Sequence, residues 1–355
     1  MITLNQNQLV VSFPEVHEDA VLSLNFQRTL RIPDNDKVYP LPPGLGNFPL
    51  VHVDDYRDEV PKSWLEHGGI IMPMYQSEAM WILFSASFSA LRSSSYPMAI
   101  KISTGKIDAV TGAPHTNGLH PHPQDYLVVP GQPWLDGYCV KKGLIRQFVA
   151  MPLGEGYTAE EQITHKAEHG GVQIVVYPMK AEAYERLFPR VEREICDTGS
   201  YGGFGGWGAP GSMPPPPGSA KMMMAAGGQA QSMGLAPGGR MKQEIYKDRF
   251  DINDWDTSKC SRCFVHIANS LTWREITGAN PPHRPPTAVQ YADYGLPWFD
   301  YYDENLKALS GSSKLASLKS VQALSQLKGE PIDNKPVNTG STVKLGPGQV
   351  REGDF

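Results

Sequence analysis

Apolar and polar residues alternate along the first half of the chain, and this pattern predicts mainly β-strands. In the stretch 21–26 every second residue is large and apolar, which is typical of a strand with one buried face. The runs 98–102 and 106–110 flank a Ser-Thr-Gly turn and are predicted as a hairpin. Further strands are predicted at 126–129, 145–151, 172–177 and 264–268.

Helical signals are short. Thr158 and Glu161 have the spacing of a capping box, which predicts a short helix after Thr158. A second helix is predicted over 180–188, where Pro189 stops it. Leucine and valine side chains between 315 and 327 line one side of a late helix. The sequence therefore predicts an α+β fold of mainly antiparallel strands, with short helices and long ordered loops rich in glycine and proline.

Composition divides the chain into four stretches. Between Asp197 and Arg240 the only charged residue is Lys221, and 19 of the 45 residues from 197 to 241 are glycine or proline. We predict a β-rich α+β domain over 1–196, a Gly/Pro/Met-rich arm or linker over 197–240, a smaller α+β lobe over 241–328 packed on the first domain, and a polar tail over 329–355.

The arm carries side chains that are unusual in a solvated tether. Its candidate contact residues are Tyr201, Phe204, Trp207, Met222, Met223 and Met224. Disordered linkers are usually charged and poor in aromatic residues. Aromatic and methionine side chains instead bury large areas on irregular partner surfaces. Two interpretations stay open, a flexible linker with a polyproline run and an arm that docks on another surface.

Charge and hydropathy argue against several classes of protein. A net charge of −5 and a pI near 6.1 disfavour binding to nucleic acid or to an anionic membrane. The most apolar stretch, 80–91, is shorter than the ~20 residues of a membrane-spanning helix, so we expect no membrane insertion. The first residues lack a signal-peptide pattern, which predicts a cytoplasmic protein whose cysteines, Cys139, Cys196, Cys260 and Cys263, are thiols.

A histidine-rich stretch provides candidate metal ligands, His115, His120, His122 and Asp125. Prolines follow His120 and His122 and favour extended backbone, in which residues two apart point to the same side. Such imidazoles can share a divalent metal such as zinc, with His115 or Asp125 as a third ligand. The other interpretation is a rigid surface loop whose histidines cap carbonyls and stack on prolines.

Two further motifs have metal-like spacing. The stretch 165–169 fits H-x-x-E-H, but two glycines follow at once, so we interpret it as the end of a surface helix. Cys260 and Cys263, with His266, form half of a zinc knuckle. A structural zinc needs four ligands, and the chain has no second C-x-x-C. Buried thiols are the simpler interpretation, although metal binding by these three residues stays open.

Polar residues also occur inside apolar stretches, such as Glu78 near Trp81 and Arg146 before Phe148. If buried, they need partners, and an ion pair between Glu78 and Arg146 is one arrangement that satisfies both. We interpret such a pair as architectural rather than catalytic.

Six stretches resemble the sequences of an uncharacterised family of bacterial and fungal hypothetical proteins. They read MYQSEAMW (74–81), PQDY (123–126), QPWLDG (132–137), IRQFVAMP (145–152), MGLAPGGRM (233–241) and GLPWFDYY (295–302). The resemblance covers roughly residues 25–330. That family has no assigned activity, so the resemblance implies no catalytic residues. It does imply that 233–241 belongs to the fold.

These features favour a cytoplasmic binding or self-assembling protein. In this hypothesis the chain forms a homo-oligomer or binds a protein partner, and the uncharged arm docks on the neighbour. The alternative is a metal-dependent enzyme with a site at His115, His120 and His122. No other cofactor is implied, and the sequence leaves open whether the protein is an enzyme.

Overall fold

A computed structural model describes residues 1–190, 232–330, 332, 334–340 and 342–346. In that part of the chain the strands are β1 (Ile2–Asn5), β2 (Gln8–Ser12), β3 (Val21–Thr29), β4 (Val38–Tyr39), β5 (Val51–His52), β6 (Ile70–Pro73), β7 (Ala79–Ala86), β8 (Phe88–Ser89), β9 (Ser94–Ser95), β10 (Met98–Thr104), β11 (Ile107–Asp108), β12 (Leu127–Val129), β13 (Trp134–Leu135), β14 (Gly137–Lys141), β15 (Leu144–Pro152), β16 (Val172–Pro178), β17 (Met233–Lys242), β18 (Ser261–Ala268), β19 (Trp298–Tyr301) and β20 (Thr342–Leu345).

Short helices connect the strands. They are α1 (Lys62–His67), α2 (Ala159–Thr164), α3 (Ala181–Leu187), α4 (Ser270–Thr277), α5 (Ala288–Asp293), α6 (Ser313–Ala316) and α7 (Val321–Lys328), with 3-10 turns at Val53–Tyr56 and Ile252–Asp254. The predicted capping box is confirmed, because the Thr158 side chain accepts from the amide of Glu161 and the Glu161 side chain accepts from the amide of Thr158. The prediction of a single late helix is wrong, because this stretch forms two helices, α6 and α7, and Ser320 caps the second one.

Sixteen of these strands form one sheet. Ten of them follow the order β1-β2-β3-β7-β15-β17-β18-β16-β10-β11, and six pair off this path: β4, β5, β6, β12, β13 and β14. The neighbours along this path are antiparallel. Parallel pairs join β4 to β17, β6 to β18 and β19 to β20. The predicted α+β class, with mainly antiparallel strands and short helices, is confirmed.

The strand β17 lies inside the stretch predicted as an arm or linker. It pairs with β15 over most of its length, and its side chains are almost all buried. Its glycines are needed for packing: a Cβ on Gly238 would lie 2.5 Å from Val149 Cγ2, and one on Gly239 would lie 2.6 Å from the Pro33 carbonyl. The C-terminal boundary of the arm therefore moves from 240 to before Met233, because glycine content here reflects crowding in a sheet.

The stretches predicted as a first domain and a smaller lobe share this sheet. β18 pairs with β16 on one side and with β6 on the other, so the division at 241 does not separate two sheets. Part of the predicted polar tail also joins the fold. Asn334 accepts a hydrogen bond from the amide of Asp34 at 3.0 Å, and β20 pairs with β19.

Candidate functional site

The chain on either side of residues 191–231 is held by hydrogen bonds. Before this segment, the Phe188 carbonyl accepts a hydrogen bond from Arg92 Nη1 at 2.7 Å. After it, the amide of Leu153 donates to the Ser232 carbonyl at 3.2 Å. Both attachment points are therefore fixed to the folded part of the protein.

These attachment points lie at opposite ends of β16. At its start, the amide of Gly171 donates to the carbonyl of Met233 at 3.0 Å. At its end, Pro178 pairs with Met98, which follows the β8–β9 hairpin directly along the chain. A strand of seven residues at ~3.3 Å each is about 20 Å long. The 41 residues from 191 to 231 thus connect points that lie towards opposite ends of this strand.

The hairpin and the end of α3 expose large apolar side chains. Phe88 is 65% exposed, Leu91 61% and Leu187 41%. Arg92 holds the hairpin on the helix, since its guanidinium lies 5.0 Å from the centre of the Tyr184 ring. We call Phe88, Leu91 and Leu187 the hairpin–α3 surface. It lies beside the point where the chain enters the 191–231 segment.

The contact residues predicted in the arm belong to that segment. Tyr201, Phe204, Trp207, Met222, Met223 and Met224 lie outside the described residues, as does Cys196. The described cysteines, Cys139, Cys260 and Cys263, are free thiols. The structure therefore locates the attachment of the predicted arm and the surface next to it.

The histidine-rich stretch is organised by a buried lysine. Lys101 is fully buried, and its ammonium donates to Asp125 Oδ2 at 2.8 Å as well as to two backbone carbonyls. His120 Nδ1 lies 2.7 Å from the same carboxylate oxygen. His115 Nδ1 instead lies 2.9 Å from Ser103 Oγ, and burial lowers the pKa of this imidazole.

The predicted metal ligands are therefore not gathered into one set. The structure brings His120 and Asp125 together, whereas His115 contacts another strand and His122 lies in the wall of a cleft. Among the described residues, no three histidine, cysteine or acidic side chains are placed to share a metal ion. Asp125 orders this loop, because its carboxylate accepts from Lys101 and from the amide of His120.

The two other metal-like motifs are also dispersed. α2 ends at Thr164, and His165 has a left-handed φ of 60°, so His165 and His169 do not share a helix face. His266 stacks on Trp64 with ring centres 4.7 Å apart, and its Nε2 lies 3.0 Å from the Gly68 carbonyl. Burial lowers the pKa of His266 to about 4.

Glu78 and Arg146 do not form the ion pair considered from sequence. Glu78 Oε1 accepts from Arg28 Nε at 2.8 Å, and Arg146 Nη1 lies 3.5 Å from Asp34 Oδ1. Both pairs are largely buried, and the register of β3 against β7 places Arg28 opposite Met80, two residues from Glu78. The neighbouring strand therefore supplies the cation that burial of Glu78 requires.

A cleft of about 740 Å³ lies between the loops 121–126, 247–252 and 309–314. Gln124 joins the first two loops: its Nε2 donates to the Tyr246 carbonyl at 3.1 Å, and its Oε1 accepts from the amide of Asp248 at 2.8 Å. The third loop is fixed by Ser312, whose Oγ donates to the Thr111 carbonyl at 2.6 Å. We call this site the lysine cleft, after Lys247 and Lys314 in its lining.

The carboxylate of Asp248 accepts three hydrogen bonds in the wall of the cleft. Its Oδ2 accepts from Tyr126 Oη at 2.7 Å and from Trp255 Nε1 at 2.8 Å, while Oδ1 accepts from the amide of Phe250 at 2.9 Å. Burial raises the pKa of Asp248, and the three donors partly offset this effect. Asp248 therefore orders the cleft and has little remaining capacity to accept further hydrogen bonds.

Sequence reasoning missed the cleft apart from His122. Its three loops are separated by more than a hundred residues in places, and none carries a recognisable binding motif. The available signal was indirect: proline recurs in 121–126, and serine and glycine cluster in 309–314, but only the tertiary structure shows that these loops meet 247–252.

Known proteins give no indication of what this chain does. A scan of protein-family models, a search of curated proteins and a search of solved structures found no match to the chain. Among the described residues, no helix combines the length and the apolar character needed to cross a bilayer. The resemblance stated from sequence stays a prediction.

Proposed function

We propose that the protein self-assembles, with residues 197–231 of one copy docking on the hairpin–α3 surface of a neighbouring copy. The observation that carries this proposal is the exposure of Phe88 and Leu91 on a hairpin bonded to Phe188, three residues before the segment 191–231 begins. Exposed apolar groups placed beside an apolar segment favour an interface in which the two bury each other.

The length of the segment supports this interpretation. A connection as long as β16, about 20 Å, needs fewer than ten extended residues, whereas 41 are present. Connections in compact domains are usually 4–6 residues, and much longer ones are generally functional or disordered. The surplus is long enough for the segment to extend from its own subunit to a neighbour.

The energetics require contributions from both partners. Burying the three side chains of the hairpin–α3 surface contributes about 1.5–3 kcal/mol each at most, while association costs about 4–15 kcal/mol in lost rigid-body freedom. The surface alone is therefore marginal. Tyr201, Phe204 and Trp207, together with the three methionines, supply the additional apolar area within a single chain type.

The direct test replaces residues 198–231 with a flexible linker. Fifteen Gly/Ser residues have a root-mean-square reach of about 20 Å, so they can bridge the attachment points. We expect light scattering to show an oligomer of the 39.1 kDa wild-type chain, and a monomer lighter than 39.1 kDa for most of the replaced chain. A monomeric wild type, or an oligomer of unchanged size after replacement, would overturn the proposal.

A further inference from the structure

The lysine cleft has the volume of a small-molecule site. Its volume of about 740 Å³ lies within the ~300–1,000 Å³ of typical ligand pockets. Apolar groups, among them Phe250, Ile252 and Leu309, share its lining with polar side chains. The hydrogen bonds already made within the cleft indicate what a ligand must offer.

The acceptor groups of the cleft are largely occupied by the protein itself. The Asp248 carboxylate accepts from three donors, as described above. Asp251 Oδ1 accepts from the amide of Asn253 at 2.8 Å and from its side chain at 2.9 Å. Ser312 Oγ accepts from the amide of Leu315 at 3.2 Å. These groups hold loops in place.

Donor groups, by contrast, stay available. Five residues line the cleft with side chains that make no hydrogen bond or ion pair within the part of the chain that the structure describes: Lys247, Lys314, Ser310, Ser313 and His122. All five are exposed. A ligand that fits this cleft must therefore be rich in hydrogen-bond acceptors.

A second hollow of about 340 Å³ adjoins the cleft and shares Lys247 with it. Lys142 and Lys307 line this hollow too, together with Glu244. Four lysines and three carboxylates, those of Asp248, Asp251 and Glu244, thus surround the two hollows. Because three donors of the protein already engage the Asp248 carboxylate, the ammonium groups outnumber the remaining carboxylates, which favours an anionic ligand.

We propose that the lysine cleft binds a phosphorylated small molecule, with its phosphate between Lys247 and Lys314 and its less polar part against Phe250 and Ile252. Lysine and serine donors suit a phosphate, whose oxygens accept from several directions. Planar carboxylates are more often held by the paired donors of arginine. Among the described residues that line the cleft, all the side chains with fixed positive charge are lysines.

The test is isothermal titration of the full chain, at low ionic strength, with three probes: pyrophosphate, AMP and succinate. We expect the two phosphates to bind and succinate to bind at least tenfold more weakly. The double variant Lys247→Met/Lys314→Met should weaken phosphate binding at least tenfold. The matched control, Lys62→Met/Lys166→Met, removes two lysines outside the cleft lining and should leave the affinity unchanged.

Four outcomes would overturn the inference. They are failure of the wild type to bind either phosphate, succinate binding as tight as that of pyrophosphate, unchanged affinity in the cleft variant, and an equal loss in the control variant. None of these results depends on the oligomeric state, so the inference stands or falls separately from self-assembly.

Discussion

Two surfaces of this molecule, the hairpin–α3 surface and the lysine cleft, are built from loops and short elements outside the sixteen-stranded sheet. The first presents Phe88 and Leu91 to solvent, and the second presents Lys247 and Lys314. In the cleft the carboxylates are engaged by the protein's own donors, and on the hairpin the one cation, Arg92, is engaged by Tyr184 and the Phe188 carbonyl.

At both surfaces, the partner is indicated by the groups that the described part of the protein leaves exposed, rather than by all the groups present. At the hairpin the remaining groups are apolar, so burial of nonpolar area is the favourable change that remains. In the cleft the remaining groups are donors, so an acceptor-rich ligand is favoured. If the two assignments are right, changes to one surface should leave the other intact, while changes to the shared sheet should affect only overall stability.

The largest expected effect is a change in overall stability, in the variant Asp136→Asn. Asp136 is buried, Gln243 Nε2 donates to its Oδ2 at 2.7 Å, and burial raises the carboxyl pKa to about 7. The folded protein therefore binds more protons than the unfolded chain between about pH 4 and 7, and stability is lost as pH rises through that window. Removing this ionisation should raise the free energy of unfolding by about 4 kcal/mol at pH 8.

Urea unfolding at pH 8 and pH 4 measures this effect. At pH 4 the Asp136→Asn variant and the wild type should differ by no more than about 1 kcal/mol, since the folded carboxyl is already protonated. A gain of the same size at both pH values would contradict the assignment. Oligomer size and phosphate binding should stay unchanged in this variant.

The next effect belongs to the cleft, in the variant Gly311→Ala. Gly311 has a φ of +81°, and a Cβ there would lie 2.4 Å from the Lys141 amide nitrogen. Strain and displacement of the loop should cost about 3 kcal/mol and weaken pyrophosphate binding. The matched control is Gly329→Ala, which has a φ of +74° but open space around the new Cβ, and should cost about 1 kcal/mol.

Calorimetric melting and titration separate these outcomes. Gly311→Ala should lose phosphate affinity and keep its oligomer size, because the 309–314 loop does not contribute to the hairpin–α3 surface. Equal costs for the two alanine variants would show that the close contact with Lys141 is unimportant.

The smallest effect on stability is expected at the hairpin–α3 surface. Phe88→Ser/Leu91→Ser removes exposed side chains, so the free energy of unfolding of the arm-replaced monomer should change by less than about 0.5 kcal/mol. In the full-length chain the same substitutions should abolish assembly. The control Leu271→Ser alters a residue of α4 that is 47% exposed and should leave the oligomer size unchanged, as seen by light scattering.

Local signals in the sequence were enough to predict much of the sheet and its short helices. Strands such as β10 and β16 coincide with apolar runs, and the capping box of α2 is encoded within four residues. β17 was harder to assign, because glycine and proline suggest a loop. Their role in that strand depends on Val149 and Pro33, which only the tertiary fold brings close.

The candidate sites were predicted less completely, for a similar reason. The spacing of side chains two apart on an extended stretch suggested that His120 and His122 share a metal ion. Buried Lys101, encoded some twenty residues earlier, engages Asp125, which contacts His120 instead. The lysine cleft depends on three remote loops and on which hydrogen bonds are already made, and no local pattern reports either.

The central claim, that the arm of one copy binds the hairpin–α3 surface of another, is tested most directly by mixing two variants. The arm-replaced chain keeps the surface, and the Phe88→Ser/Leu91→Ser chain keeps the arm. Native mass spectrometry should show each variant as a monomer on its own and a one-to-one complex when they are mixed. Absence of the mixed complex, or assembly of either variant alone to the wild-type size, would contradict the claim.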